Sequence, residues 1–313
     1  YLGNLGRHLT VGPNINQPAC GDIASCPFPV ASLPGVTILQ RQSQGISRYH
    51  AMQVTFQRRL SHGLSADVNY TWSHMITNSS ITDESQSYAT NSCQGMCWVD
   101  DPTNPGQHVL VNGWQQYDLG NGDLDLRHRI AGMILYELPF GKSLQGFSGQ
   151  LVKGWSVNVA SSWQTGLPLS ALNSSAVSGT FGLSQDRPNM VGDPNRAGPV
   201  AANPGCNAPS RIHTLTNWFN PCAFVQQPAG VLGNEGRNQI FGPSRWRIDF
   251  SAAKDFPIYE DVKLQFRTEV FNITNTASFD QPGGTIGSNF GRITQTALGS
   301  TPREIQFALK LVF

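Results

Sequence analysis

Charge is scarce in this chain. Only 13% of its 313 residues are Asp, Glu, Lys or Arg, about half the share of an ordinary soluble domain. The net charge is +1, which offers no electrostatic footprint for nucleic acid or an acidic partner. Long apolar runs are missing too: nothing approaches the roughly 18 apolar residues of a membrane helix. That excludes helical spanning and leaves open a membrane barrel, whose strands are only half apolar. The start, Tyr1-Leu-Gly-Asn-Leu-Gly-Arg-His-Leu-Thr10, has no initiator Met, basic n-region or apolar h-region. It reads as the tail of a strand, and the chain is expected to be the C-terminal part of something longer.

Reactive constellations are absent as well. The seven histidines (8, 50, 62, 74, 108, 128 and 213) show no metal-ligand spacing. His128, between two arginines, reads as polar lining. No Ser/His/Asp order, paired carboxylates in apolar runs or phosphate loop is present. Gly283-Gly-Thr-Ile-Gly287 resembles a dinucleotide turn, but no helix follows it. Asn121, Asp123 and Asp125 fall at calcium-loop spacing, yet the sixth and twelfth positions are Leu126 and Gly132 instead of Gly and Glu. Asp118–Asp125 is therefore expected to be a surface turn, and Asp100-Asp101 exposed loop acids. No catalytic, cofactor or metal site is expected, and the chain does not read as an enzyme.

The six cysteines form three close pairs: Cys20 with Cys26, Cys93 with Cys97, and Cys206 with Cys222. All lie in Pro-, Gly-, Asn- and Ser-rich segments. Metal binding is the rival reading, but no His stands at finger spacing. Local disulfides in an oxidising compartment are expected.

What the chain does have is period-two alternation. In Arg303–Phe313, Ile305, Phe307, Leu309, Leu311 and Phe313 share one face; Glu304, Gln306, Ala308, Lys310 and Val312 share the other. The same pattern runs through residues 49–60, 64–75, 127–138, 154–165, 245–256 and 262–273. These segments have the length that a tilted strand needs to cross a bilayer. Connections are short at 61–63, 139–153 and 257–261, and long at 11–48, 76–126, 166–244 and 274–302. Short and long alternate without exception, as in outer-membrane barrels. Aromatics gather near strand ends, with Tyr70, Trp72, Trp163 and Trp246 at one side and Tyr136, Trp155, Phe256 and Phe313 at the other, like interfacial girdles. The bland alternative is a soluble β-sandwich, whose oily faces would meet in a core. The predicted fold class is an all-β, antiparallel transmembrane barrel segment of about seven or eight strands.

Particular stretches resemble a family. Tyr49-His-Ala-Met-Gln-Val-Thr-Phe-Gln-Arg-Arg59, Gly63-Leu-Ser, Asn69-Tyr-Thr-Trp-Ser73, Asp125-Leu-Arg-His-Arg129, Tyr136-Glu-Leu-Pro-Phe-Gly141, Gly154-Trp155 and Gln164-Thr-Gly166 are similar to the barrel of TonB-dependent outer-membrane receptors of the Oar-like, carboxypeptidase-regulatory-like group. Phe266-Arg-Thr-Glu-Val-Phe-Asn-Ile-Thr-Asn275 and Asn289-Phe-Gly-Arg-Ile-Thr294 resemble that group's closing strands. The resemblance implies a barrel of roughly 22 strands in the outer membrane of a Gram-negative bacterium, with the C-terminus periplasmic. It implies ligand uptake driven by the TonB complex acting through a plug. Residues 1–313 would be the C-terminal part of that barrel, without the plug, the N-terminal domain or the first strands.

Within that reading Arg129, Glu137, Arg247, Asp249, Lys263, Arg267, Glu269, Glu304 and Lys310 are lumen-facing candidates, and the bland reading is that they simply meet water or one another. Trp218, Phe219 and Phe224, in the longest connection, are candidate contacts for an unknown extracellular ligand. Phe313 resembles the C-terminal signal read by the barrel assembly machinery. The expected partners are outer-membrane lipid, the plug and remaining strands, the TonB complex, that machinery and the ligand. Two rivals stand beside this: an adhesin without active transport, and a complete eight-stranded barrel.

Overall fold

A computed structural model describes residues 1–11, 16, 30–34, 36, 38, 42–79, 96–100, 108–112, 117–141, 146–178, 185–229, 231–259 and 262–313. Every alternating segment of the sequence forms a strand. In order these are β1 (Leu2–Val11), β2 (Gln42–Ser61), β3 (Leu64–Thr77), β4 (Met96–Asp100), β5 (His108–Asn112), β6 (Gly120–Asn121) and β7 (His128–Glu137). Helix α1 (Gly146–Val152) precedes β8 (Trp155–Gln164). Four two-residue strands follow: β9 (Pro168–Leu169), β10 (Asn189–Met190), β11 (Phe224–Val225) and β12 (Ile240–Phe241). The last three are β13 (Arg245–Tyr259), β14 (Val262–Phe271) and β15 (Glu304–Val312).

The wall is one antiparallel sheet in the order β1-β2-β3-β7-β8-β13-β14-β15, with β6 added on β3. Its register keeps like with like. One row reads Val54, Tyr70, Ile130, Trp163, Trp246 from β2 to β13. Another reads Ile134, Val159, Phe250, Val270, Ile305 from β7 to β15. The opposite face carries Thr55, Asn69, Ala131, Ser162 and Arg247 in one such row. A slip of one residue in any pair would mix the faces.

The apolar face is uncovered. Phe56 is 59% exposed, Phe307 67% and Leu309 66%. Among the described residues Ala51 is the one fully buried hydrophobic side chain of the eight wall strands. A soluble sandwich would bury this face against a second sheet, so that alternative fails. An open apolar face of this extent suits a lipid-facing wall.

Antiparallel order puts the short links at one end of the wall and the long connections at the other, and β15 runs toward the short-link end. The β2–β3 link is a two-residue turn in which His62 (φ 53°) and Gly63 (φ 76°) are both left-handed, the hairpin geometry that follows strand twist. A Cβ at Gly63 would lie 2.7 Å from the Glu137 carbonyl oxygen, so glycine is needed there for space as well as for φ.

Three expectations need correction. β2 starts at Gln42, seven residues before the alternation becomes clean, because its first part pairs with Thr10 and Val11 of β1 beyond the lipid-facing rows. Residues 139–153 are not a plain link; they contain α1. β13 continues through Pro257 to Tyr259, so the link expected at 257–261 shrinks. Proline is tolerated there because β8 begins only at Trp155, opposite Lys254, and requires no N–H from Pro257.

Two of the three expected disulfides fall where the structure is not described. Cys20 and Cys26 both lie outside the described residues, so the bridge expected between Cys20 and Cys26 does too. Cys93 is likewise outside them, and of Cys97 only the backbone, in β4, is described.

The face assignment gives a direct test. Val68→Arg, in mid-wall on the apolar face, should destabilise the folded protein in lipid by about 2–4 kcal/mol. The neighbouring Asn69→Arg should be mild. Equal losses in denaturant titrations from vesicles would contradict the two-faced wall.

Candidate functional site

The buried core sits in the long connections, not in the wall. Leu169, Ala171, Phe219, Ala223, Phe224 and Ile240 pack together, with Met190, Trp218, Ile286 and Phe290 against them. Phe219, Phe224 and Phe290 form an edge-to-face trio with centroids 5.0–5.8 Å apart. Short ladders close around this core: β9 pairs with β12 and β10 with β11. The connection after β14 joins through Leu172↔Thr285 and through Trp218 N–H to the Gly291 carbonyl, 2.7 Å. The result is a cap at the long-connection end of the sheet.

The cap is tied to the connection before β7 by buried polar groups. Arg187 donates to the Tyr117 carbonyl (3.0 Å) and to Asp118 (3.2 Å), and its guanidinium lies 4.1 Å from the Tyr117 ring centroid. The Tyr117 hydroxyl donates to the Gly233 carbonyl, 3.0 Å. Arg237 donates to both oxygens of Asp123 (3.1 and 3.2 Å) and to the Thr77 carbonyl at the end of β3. Asn238 and Asn121 exchange side-chain-to-carbonyl bonds of 2.9 and 2.8 Å. Asp125 accepts from the Met75 N–H (2.8 Å) and from Arg127 (2.6 Å). Buried charges persist when paired and hydrogen-bonded in this way.

Burial governs the titration of this cluster. It pushes Asp118 up to about 7, against the opposing pull of Arg187 and Arg237. It pushes Glu235 up to about 8, against the Ala171 N–H bond (2.8 Å) and Arg187, and the Tyr117 phenol up to about 12. Burial also opposes the charge on Arg187, but Tyr117, Asp118 and Glu235 outweigh it and raise its pKa. A neutral Glu235 beside a charged Arg187 is the arrangement these environments favour.

This corrects the expected surface turn at Asp118–Asp125. Asp118 and Asp125 are buried and anchor the cap; they are not a solvated loop. Tyr117, Arg187, Glu235 and Arg237 were not singled out from sequence, although charged residues in such charge-poor loops were a usable signal. Phe219 and Phe224, candidate ligand contacts, are core residues at 1% and 4% exposure. They reach a ligand only if the cap opens. Trp218 is half-buried, its indole N–H donating to the Phe241 carbonyl, 2.8 Å. His128 lies opposite Trp72 on the apolar face and hydrogen-bonds the Tyr70 hydroxyl, 2.9 Å, so it belongs to the aromatic row and not to a polar lining.

The nine charged wall candidates all fall on the polar face in the observed register. Arg247 pairs with Asp249 (2.8 Å) and Arg267 with Glu269 (3.4 Å), each two residues along one strand. Asp249 also accepts from the Asn272 N–H, 2.7 Å. Arg129, Glu137, Lys263, Glu304 and Lys310 stand at other positions of the same face. No group of three or more His, Cys, Asp or Glu poised for a metal occurs among the described residues.

An uncovered apolar face, a polar face and a capped loop end together describe a membrane wall, and residues 1–306 match the family model described as "Outer membrane beta barrel domain". The chain belongs to that outer membrane β-barrel family. No curated protein matches it. Membership locates the barrel domain in the outer membrane, where disulfides persist. Accordingly Cys206 and Cys222 are bridged, with Cα atoms 5.6 Å apart, beside the cap core. This is the disulfide seen among the described residues; Cys20, Cys26 and Cys93 are not among them.

Two outcomes follow for the barrel domain's cap. Non-reducing peptide mapping should recover Cys206 joined to Cys222, and reduction should cost the cap about 3 kcal/mol; free thiols in native material would contradict the bridge. The second concerns pH. The folded pKa of Glu235, about 8, lies above the ordinary glutamate value of 4.5, so the folded cap keeps a proton that the opened cap releases. That stability is full below the lower value and is lost as pH rises through the upper one, and Asp118 acts in the same sense toward about 7. The hydrogen-exchange protection factor at Ala171 should therefore fall between about pH 5 and pH 8.5. Glu235→Gln should flatten the slope; an unchanged slope would refute the assignment.

Proposed function

We propose that the chain forms wall and external cap of a TonB-dependent uptake receptor. The observation that carries this reading is the gathering of three long connections into one packed cap over a single end of the sheet. Recognition commonly sits on loops that a rigid scaffold positions, and here the scaffold is the wall. The cap would face the medium and capture the ligand through its surface, where Leu124, Leu215 and Leu298 are exposed. The short links and Phe313 would be periplasmic, with Phe313 offered to the barrel assembly machinery. Arg129, Glu137 and the paired charges would line the lumen and meet the plug, while Lys263, the second residue of β14, stands at the rim of the wall. The stretches similar to Oar-like receptors support the same assignment. Transport in this reading involves no covalent chemistry and no cofactor.

An adhesin that shares the wall but not the energy coupling is the second reading, favoured by the packed core of the cap. Depletion of medium components by cells with and without the protein separates the two. The receptor reading expects depletion that depends on the protein and stops when an uncoupler collapses the proton-motive force, together with cross-links to the TonB complex. Protein-dependent attachment to surfaces, with no energy-dependent depletion and no such cross-links, would establish the adhesin instead.

A further inference from the structure

At the opposite end of the wall lies a cavity of about 520 Å³ lined by Gly146, Gly149, Gln150, Lys153, Gly154, Lys254, Asp255, Pro257 and Lys263. Three lysines face one aspartate. Small residues of α1 and its exit make the room. Lys254 is buried; its ammonium donates to the carbonyls of Lys153 and Asp255 and lies over the Phe256 ring, 4.7 Å from the centroid. These two carbonyls occupy two of its three donors. Asp255 accepts from Gln265, 2.9 Å, and its single negative charge is outnumbered by the three lysines. The lining thus has surplus positive charge with ammonium donors to offer.

The surroundings are apolar and unpartnered. Helix α1 exposes Phe147, Leu151 and Val152, and Phe140 and Ile258 are exposed nearby in the sequence. Phe147 and Leu151 are one helical turn apart and share a face. The Trp155 indole N–H donates to the Leu151 carbonyl, 2.9 Å, and holds the helix against the wall. A short helix with an apolar ridge at a bilayer boundary lies in the interface. Cationic pockets at that level suit lipid phosphate.

We propose that this cavity binds the headgroup of an anionic phospholipid, its phosphate between Lys153, Lys254 and Lys263 and its acyl chains along the Phe147–Leu151 ridge. Charge complementarity selects an anionic headgroup, and the flanking apolar ridge selects a lipid over a free anion. The site depends on the outer-membrane location alone, and neither on the direction of the barrel nor on transport.

The test uses the protein extracted from outer membranes in mild detergent and stripped of lipid. Phosphatidylglycerol, phosphatidylcholine of the same chain length, and inorganic phosphate are added separately, and bound lipid and thermal unfolding are measured. The wild type should retain phosphatidylglycerol and unfold at higher temperature with it, and respond to neither of the others. Lys153→Ala with Lys263→Ala should weaken phosphatidylglycerol binding by about tenfold, since neither side chain anchors the helix, whereas Arg211→Ala in the cap should not. Lys263→Gln alone, at an exposed position, should give the same loss at smaller size and serves if the double variant does not fold. Equal retention of both lipids, or undiminished binding by the variants, overturns the proposal. Protection by inorganic phosphate equal to that by phosphatidylglycerol also overturns it, in favour of a free-anion site.

Discussion

Hydrocarbon gives a peptide N–H or C=O nothing to bond, and each group left unmet costs several kcal/mol. Everything in the wall answers to that constraint. The backbone groups of β3, β7, β8 and β14 are met by neighbouring strands on both sides, so the side chains are free to sort by face. Period-two sorting then lets one face be apolar while the other stays polar, without any second layer. A wall built this way needs no core of its own, and it has almost none: the large apolar side chains of β2, β7 and β15 remain exposed.

Because the wall is relieved of core building, the core appears where water returns. The connections at one end carry the Phe219–Phe224–Phe290 trio and the ladders around it. Beside them sits the polar web of Arg187, Arg237, Asp118, Asp123 and Asn238. The two halves meet at Thr77 and Met75, whose backbone groups bond Arg237 and Asp125. Bilayer and aqueous physics thus divide the chain into two structures that share the end of β3.

Sequence alone showed the wall well and the cap poorly, for a physical reason. Alternation at Leu64–Trp72 or Ile305–Phe313 is a local signal repeated over ten or so residues, and it placed the strands and all nine polar-face charges. The bounds moved where pairing continues past the oily rows, as at Gln42, or where a strand outlasts its neighbour, as at Pro257. The cap is assembled from contacts between residues far apart in the chain, such as Tyr117 with Gly233 and Asn121 with Asn238. No period announces such pairs. Thus Asp118 and Asp125 read as solvated turn acids, and Phe219 and Phe224 as ligand contacts, until burial revealed their role. The bridge between Cys206 and Cys222 was legible because it is short in sequence. The bridge expected between Cys20 and Cys26 lies outside the described residues.

The reciprocal bonds between Asn121 and Asn238 have a consequence for how such a protein diversifies. They fasten one long connection to another at a fixed point close to the wall, with Arg237 and Asp123 reinforcing the same point. Beyond such anchors the loop tips contribute little to what holds the cap shut. Substitutions of the exposed Leu215 and Leu298 side chains can accumulate there without loosening the fold. The exposed surface of the cap can change quickly, while the scaffold that presents it drifts slowly.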